Sequence, residues 1–238
     1  MPGTPTILAT SGGFTHDERN NLAPSGLVRL ALRTSGADRP KLCFVGTATG
    51  DDVGNVQRIY AAFSGWSVDV SHLQLFTMPN VADVRTHLLG QDVIWVGGGS
   101  VANLLAVWRV HGVDDVMREA WASGVVLSGV SAGSICWHTG GTTDSFGPDL
   151  RGVTDGLALL PYGNGVHYDS EEQRRPLLHA LVGDGTLPTS YATDDGAGLL
   201  YERTELVGTY AEREGAAAYR VEKSAGGVVE TRLDPELA

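Results

Sequence analysis

The sequence predicts an α/β fold of three layers, a mostly parallel sheet with helices on both faces and a strand-rich C-terminal end. Three observations carry this expectation. Short continuous apolar runs alternate with segments of helical periodicity as far as Gly133, and parallel strands covered on both faces need such runs. The apolar runs end repeatedly in small-residue loops: Ser11–Gly13, Gly46–Gly50, Gly97–Ser100 and Gly129–Gly133. Beyond Ala197 the helical spacing gives way to short runs joined by tight turns.

In chain order, Thr6–Thr10 reads as the first strand, and Leu27, Leu30 and Ala31 mark a helical face closed by Gly36. Lys41–Val45 is a second strand. Val56, Ile59, Tyr60 and Phe63 have helix periodicity, Val68–Phe76 returns to strand, and Val81, Val84 and Leu88 mark a short helix before the strand Asp92–Val96. Helices over Val101–Val110 and Val113–Ala122 lead into the apolar run Val125–Leu127. Gly140–Gly152 reads as a polar loop containing Asp144 and Asp149, and Glu171–Leu181 as a helix that Pro176 breaks or kinks. Ala197–Tyr201, Leu206–Tyr210, Ala218–Val221 and Val228–Thr231 read as strands.

With 238 residues and 42% hydrophobic content, the chain has material for one large α/β domain, and no compositional break divides residues 1–238. A net charge of −11 argues against nucleic acid or an anionic membrane as partner, because both require clustered Lys and Arg. No apolar run approaches the roughly 20 residues of a membrane span. The segment Met1–Thr4 lacks the basic and hydrophobic regions of an export signal. Cys43 and Cys136 sit among apolar residues as buried small hydrophobes, so a reducing cytoplasm is expected.

Gly129-Val130-Ser131-Ala132-Gly133 follows an apolar run and precedes Ile135-Cys136-Trp137, the strand, sharp turn and helix of a nucleophile elbow. A serine hydroxyl needs a base to take its proton, and histidine is suited to that. His138 lies two turns further along the same predicted helix, too far to reach Ser131. His72, His87, His111 and His179 fall within or at the ends of predicted elements, and His16 stands beside charged residues. His167, after Gly163-Asn164-Gly165-Val166, would sit at a strand end on the ligand-binding edge of the sheet. For the carboxylate that orients the imidazole, Asp144 is the first choice because it gives the chain order Ser, Asp, His; Asp169 is the local competitor. Asp194-Asp195 precedes a glycine at another loop that can reach this edge. Oxyanion donors are expected from the Ala132 amide and from Gly98 and Gly99. Gly97-Gly98-Gly99-Ser100 lacks the ending of a phosphate loop and the spacing of a dinucleotide fingerprint, and no metal-ligand spacing occurs. No cofactor or metal is expected.

Val96–Ser100, Gly129–Gly133, and Val166–Asp169 with Glu171 and Arg174-Arg175-Pro176 together resemble the peptidase E family of aspartyl dipeptidases and their cyanophycinase relatives. The resemblance implies a class I glutamine amidotransferase-like fold with serine in place of cysteine, and a metal-independent serine peptidase. It implies Ser131 as nucleophile, His167 as its histidine, and Gly98, Gly99 and Ala132 as the oxyanion loop. Asp144 lies near the family's acidic residue. Arg174 or Arg175 is a candidate for binding a substrate carboxylate, against the reading as helix-surface arginines. His167-Tyr168-Asp169 departs from the Asn-Pro-His-Phe context of the enteric enzymes, which leaves the acid and the strictness for N-terminal Asp open. The expected activity is hydrolysis of dipeptides or short peptides by a cytoplasmic monomer or homodimer. The alternatives are hydrolysis of β-aspartyl-arginine material and a catalytically silent binding or sensor module.

Overall fold

The computed structural model describes residues 3–238; Met1 and Pro2, where the N-terminal reading begins, lie outside the described residues. Its main sheet has eight strands, in spatial order Asp69–Leu73, Lys41–Val45, Val93–Val96, Val126–Val130, Thr6–Thr10, Ala197–Glu202, Glu205–Ala211 and Glu236–Leu237. The first five run parallel. Ala197–Glu202 joins Thr6–Thr10 antiparallel and turns back into Glu205–Ala211.

The apolar runs are continuous because the inner parallel strands are buried on both faces. Leu8, Phe44, Trp95 and Val126 point to one face, with Val28, Ala31 and Ile59 of the helices Gly26–Thr34 and Val53–Ala62. Their neighbours Ile7, Val45, Ile94 and Leu127 point to the other, against Leu104, Trp108 and Met117 of the helices Val101–His111 and Val113–Ala122. This is the period of two of a strand, with both phases apolar. Register brings Thr10 beside Val130 and Val96 beside Gly129, so the glycine loops leave the sheet along one edge.

A second sheet of six strands departs from the sequence reading: Gly227–Leu233, Ala218–Ser224, Ser190–Thr193, Gly163–Gly165, Gly140–Thr143 and Arg151–Val153. The supposed polar loop over 140–152 is thus the hairpin Gly140–Thr143 with Arg151–Val153. Its glycines and threonines carry no hydrophobic alternation, yet backbone pairing makes them strands. The helix after Ser131 ends at Ile135, so His138 lies beyond it in a turn. The later helix is Arg174–Gly183, and Pro176 falls in its first turn, where a missing N–H costs nothing, so it neither breaks nor kinks the helix. Among the described residues no helix is long and apolar enough to cross a membrane.

Candidate active site

Ser131 stands between the strand Val126–Val130 and the helix Ala132–Ile135, with φ 57° and ψ −112°. A non-glycine residue held there stores about 1–3 kcal/mol of backbone strain, which the surrounding structure must over-determine. Three hydrogen bonds show how. The Ser131 amide donates to the Thr10 carbonyl at 3.0 Å, and the Ser131 carbonyl accepts from Ser134 and Ile135 at 2.8 and 2.9 Å. The flanking glycines are dictated by space, since a Cβ on Gly129 would collide with the Gly133 carbonyl and one on Gly133 with that of Val96. The predicted turn and its serine are therefore present as geometry.

Gly97–Ser100 lies against this turn. Its ends are pinned by the Gly97 amide to Val45 at 3.0 Å and the Ser100 amide to Ala48 at 3.0 Å. Between them Gly98 comes so close to Ser131 that a Cβ would stand 3.3 Å from the serine Cβ, and Gly99 has φ 131°. Among the described residues the amides of Gly98, Gly99 and Ala132 have no backbone acceptor. They are donors available to an anionic oxygen at the start of a helix.

His167 follows the strand Gly163–Gly165 and has φ 52°. Its amide donates to the Ser11 hydroxyl oxygen at 3.1 Å, and that hydroxyl lies 2.7 Å from the Thr193 hydroxyl. Consecutive residues of the first strand end, Thr10 and Ser11, thus hold the serine on one side and the histidine on the other. A second tie is the buried bond from the Ser134 hydroxyl to the Asn164 side-chain oxygen, 2.9 Å, which fastens the serine helix to the histidine strand. Neither Ser11 nor Asn164 stood out in the sequence, because a small polar residue among glycines carries no periodicity.

The carboxylate on the imidazole is Asp195: its Oδ1 lies 2.5 Å from His167 Nδ1. This corrects the choice of Asp144, which is exposed, makes no side-chain bond to His167, and lines a surface depression with Pro148, Glu171 and Glu172. The hairpin that replaces the expected loop carries it there. Asp169 does not contact the imidazole either. It accepts the Asp195 amide at 2.8 Å and pairs with Arg213 at 2.5 Å, while Arg213 Nε donates to the Asp195 carbonyl at 2.9 Å. Asp169 therefore braces the turn that carries the acid. The doublet Asp194-Asp195 before Gly196 was the sequence signal for it.

Burial works against ionisation of Asp195, but hydrogen bonds from His167 and Ser170 and the nearby charges of His167 and Arg213 outweigh it, holding the carboxyl below its usual range. Its neighbour Asp194 turns inward, accepts the Ala217 amide at 3.0 Å and the Tyr219 hydroxyl at 3.2 Å, and is raised chiefly by burial. Imidazole and carboxylate thus face the site with the charge pattern that orients a base.

Neither arginine makes a side-chain bond to Ser131 or His167. Arg174 is 2% exposed, with Nε on Glu171 at 2.8 Å and Nη1 on the Thr142 carbonyl, so it ties the helix to the second sheet. Arg175 lies 4.5 Å and 4.6 Å over the Tyr168 and Tyr219 rings and pairs with Glu230. Arg174 is thus buried with its charge met, and the part-exposed Arg175 is held by Glu230 and the two rings. Cys43 and Cys136 are free and buried; burial pushes the Cys43 thiol up to about 12, and Cys136 also rises. Among the described residues no three His, Cys, Asp or Glu side chains converge as a metal site.

Comparison with known proteins gives the chain its relatives. The family profile described as Peptidase family S51 matches residues 7–207. An uncharacterized peptidase of Bacillus subtilis (strain 168), YgaJ, is 42% identical over 215 residues, spanning 90% of this chain and 91% of that protein. A structure assigned to peptidase E from Listeria monocytogenes EGD-e superimposes with TM-score 0.57 at 18% identity, covering 98% of this chain and 100% of that one. A peptidase from an acI-B1 Actinobacterium gives TM-score 0.66 at 14% identity, covering 99% and 95%. For the two solved structures the likeness is one of fold.

Proposed function

The chain belongs to peptidase family S51, and from that premise we propose that it hydrolyses dipeptides or short peptides as a serine-type enzyme through an acyl-enzyme on Ser131. The observation that carries this reading is the shared anchoring of Ser131 by Thr10 and His167 by Ser11, with Asp195 on the far nitrogen of the imidazole. Asp195 accepts from Nδ1, which leaves Nε2 as the base.

In the acylation step Ser131 Oγ bonds to the peptide carbonyl carbon while its proton passes to His167 Nε2. The carbonyl oxygen becomes an oxyanion received by the amides of Gly98 or Gly99 and Ala132. As the carbon–nitrogen bond breaks, Nε2 returns the proton to the leaving amine. Water then attacks the ester by the same route, giving its proton to Nε2, and Ser131 leaves as a hydroxyl. Asp195 stays ionised and stabilises the imidazolium formed in each half.

Incubating the protein with a fluorophosphonate probe and with a dipeptide library tests this. Labelling confined to Ser131, together with dipeptide hydrolysis lost in Ser131→Ala, is the expected result. Full hydrolysis by Ser131→Ala would reject the mechanism.

A further inference from the structure

Beside Ser131 the structure holds a cavity of about 210 Å³ that no part of the mechanism uses. Its lining includes Gly98, which lies against Ser131, its loop neighbour Gly97, and Val130, which precedes the serine, and none from the His167 or Asp195 loops. Its walls are Phe44, Ile59 and Trp95, which are 6%, 4% and 1% exposed, with the half-buried Phe14 and Leu22 of the hairpin Phe14–His16 and Leu22–Pro24. Phe14 stands edge-on to Trp95 with ring centroids 5.6 Å apart, so the wall is preformed. No carboxylate lines it.

We propose that this cavity is the subsite for a large apolar side chain, leucine, methionine or phenylalanine, on the substrate residue that supplies the scissile carbonyl. The proposal rests on the acyl-enzyme reading above. The leaving amine must lie toward His167, which protonates it, so the acyl residue extends to the other side of the carbonyl. With the oxyanion on the amides of Gly98 or Gly99, that residue's side chain is delivered to the face formed by Gly98 and Val130. A methyl or methylene placed among Phe14, Phe44, Ile59 and Trp95 gains burial, whereas a carboxylate there would lose its hydration with no fixed partner. Arg58, the single cation on the lining, is exposed; its Nε is turned back to the Gly54 carbonyl at 3.3 Å, and it makes no ion pair among the described residues. Its stem extends the apolar wall while its charge stays in water. The inference assigns to Phe14 and Leu22 a role in selectivity, and to the N-terminal hairpin the job of carrying them.

Calorimetric titration of the full-length Ser131→Ala protein with Phe-Ala, Leu-Ala, Asp-Ala and Gly-Ala tests the subsite without relying on turnover. Phe-Ala and Leu-Ala should bind at least about tenfold more tightly than Gly-Ala or Asp-Ala, the scale of several methylenes in an apolar pocket. Leu22→Trp in the same background should narrow the Phe-Ala to Gly-Ala ratio about tenfold. Asn55→Trp, on the half-exposed rim, should do the same if Leu22→Trp does not fold. Arg58→Met should keep the preference for Phe-Ala. Tighter binding of Asp-Ala, equal binding of all four, or no binding would overturn the subsite, as would a preference unmoved by a folded filling variant. Hydrolysis of the same four dipeptides by the wild-type protein reads the parent mechanism separately: selective binding with no turnover would sink the mechanism and leave only an apolar side-chain site beside Ser131.

Discussion

Ser131 is held by the eight-stranded sheet, and His167 with Asp195 by the six-stranded one, and the two sheets hold their residues by different physics. On the serine side the neighbours are backbone and apolar: Gly129 and Gly133 leave no room for a Cβ, and Ala132 is 1% exposed. The imidazole and its carboxylate are 24% and 43% exposed, and the turn beneath them is set by Asp169, Arg213 and the Asp195 backbone. Ion pairs this exposed contribute about 0–1 kcal/mol each to stability. Packing therefore places the nucleophile, while polar bonds that add little stability place the base. Added bulk on the serine side, at Gly129 or Gly133, should disturb both folding and chemistry; on the carboxylate side the two should separate.

The largest expected effect is at the residue packing cannot replace. Ser131→Ala should reduce kcat/KM on a cleaved dipeptide on the order of 10⁴-fold or more with little change in melting temperature, since only an oxygen is removed. Asp195→Asn should follow, on the order of 10³–10⁴-fold in kcat, because an amide at that position no longer fixes the tautomer. Asp144→Asn should stay within about twofold of wild type, whereas Asp169→Asn, which loosens the turn rather than the imidazole, should fall between. Steady-state kinetics of the three variants separates these roles. If Asp144→Asn were the inactive one and Asp195→Asn active, the pairing of histidine with the second sheet's turn would be wrong.

This contrast also explains what could be read from the sequence. The parallel strands and Ser131 were legible because continuous apolar runs and Gly-x-Ser-x-Gly are local signals of burial and of a tight turn. His167 was legible from the glycines before it. Of the second sheet, Ala218–Ser224 and Gly227–Leu233 were legible, but Gly163–Gly165 and Gly140–Thr143 were not, because they contain only Gly, Asn and Thr and their pairing is set by distant backbone. Asp144 was preferred over Asp195 on chain order and on its nearness to the acidic residue of the family it resembles, and neither says which strand end faces the imidazole. Arg174 misled for a related reason: its helix phase alone does not show that Glu171 and the Thr142 carbonyl accept its charge in a buried position.

A smaller effect probes the serine side through pH. His138 is fully buried, with Nδ1 2.9 Å from the Ser134 carbonyl at the end of the serine helix. Burial lowers its pKa from 6.5 to about 4, partly offset by that carbonyl. Because the folded value lies below the unfolded one, the unfolded chain takes up the proton first as pH falls. Its contribution to stability is present in full above pH 6.5 and is lost as pH drops toward about 4, up to ~3 kcal/mol. Urea unfolding at pH 7.5 and 4.5 should show a larger decline for wild type than for His138→Phe, which cannot titrate. Asp194 and Glu212, raised chiefly by burial, are present in both proteins, so the difference between them isolates His138. Parallel declines would mean that the serine helix does not feel this proton.

A modest change is expected where the two sheets meet. Ser11 receives the His167 amide at 3.1 Å and bonds Thr193 at 2.7 Å, while its neighbour Thr10 receives the Ser131 amide at 3.0 Å. Ser11→Ala deletes the histidine's tie to the first strand but keeps the serine's, so the packing side of the comparison stays whole. One hydrogen bond of this kind is worth about 1 kcal/mol, which as a loss of alignment lowers kcat about fivefold to tenfold. KM should barely move, because neither Ser11 nor Thr193 lines the cavity beside Ser131. A merely structural role would lower the melting temperature and leave the ratio of kcat to that of wild type unchanged well below the transition. An unchanged kcat would show that the second sheet places His167 without help from the first.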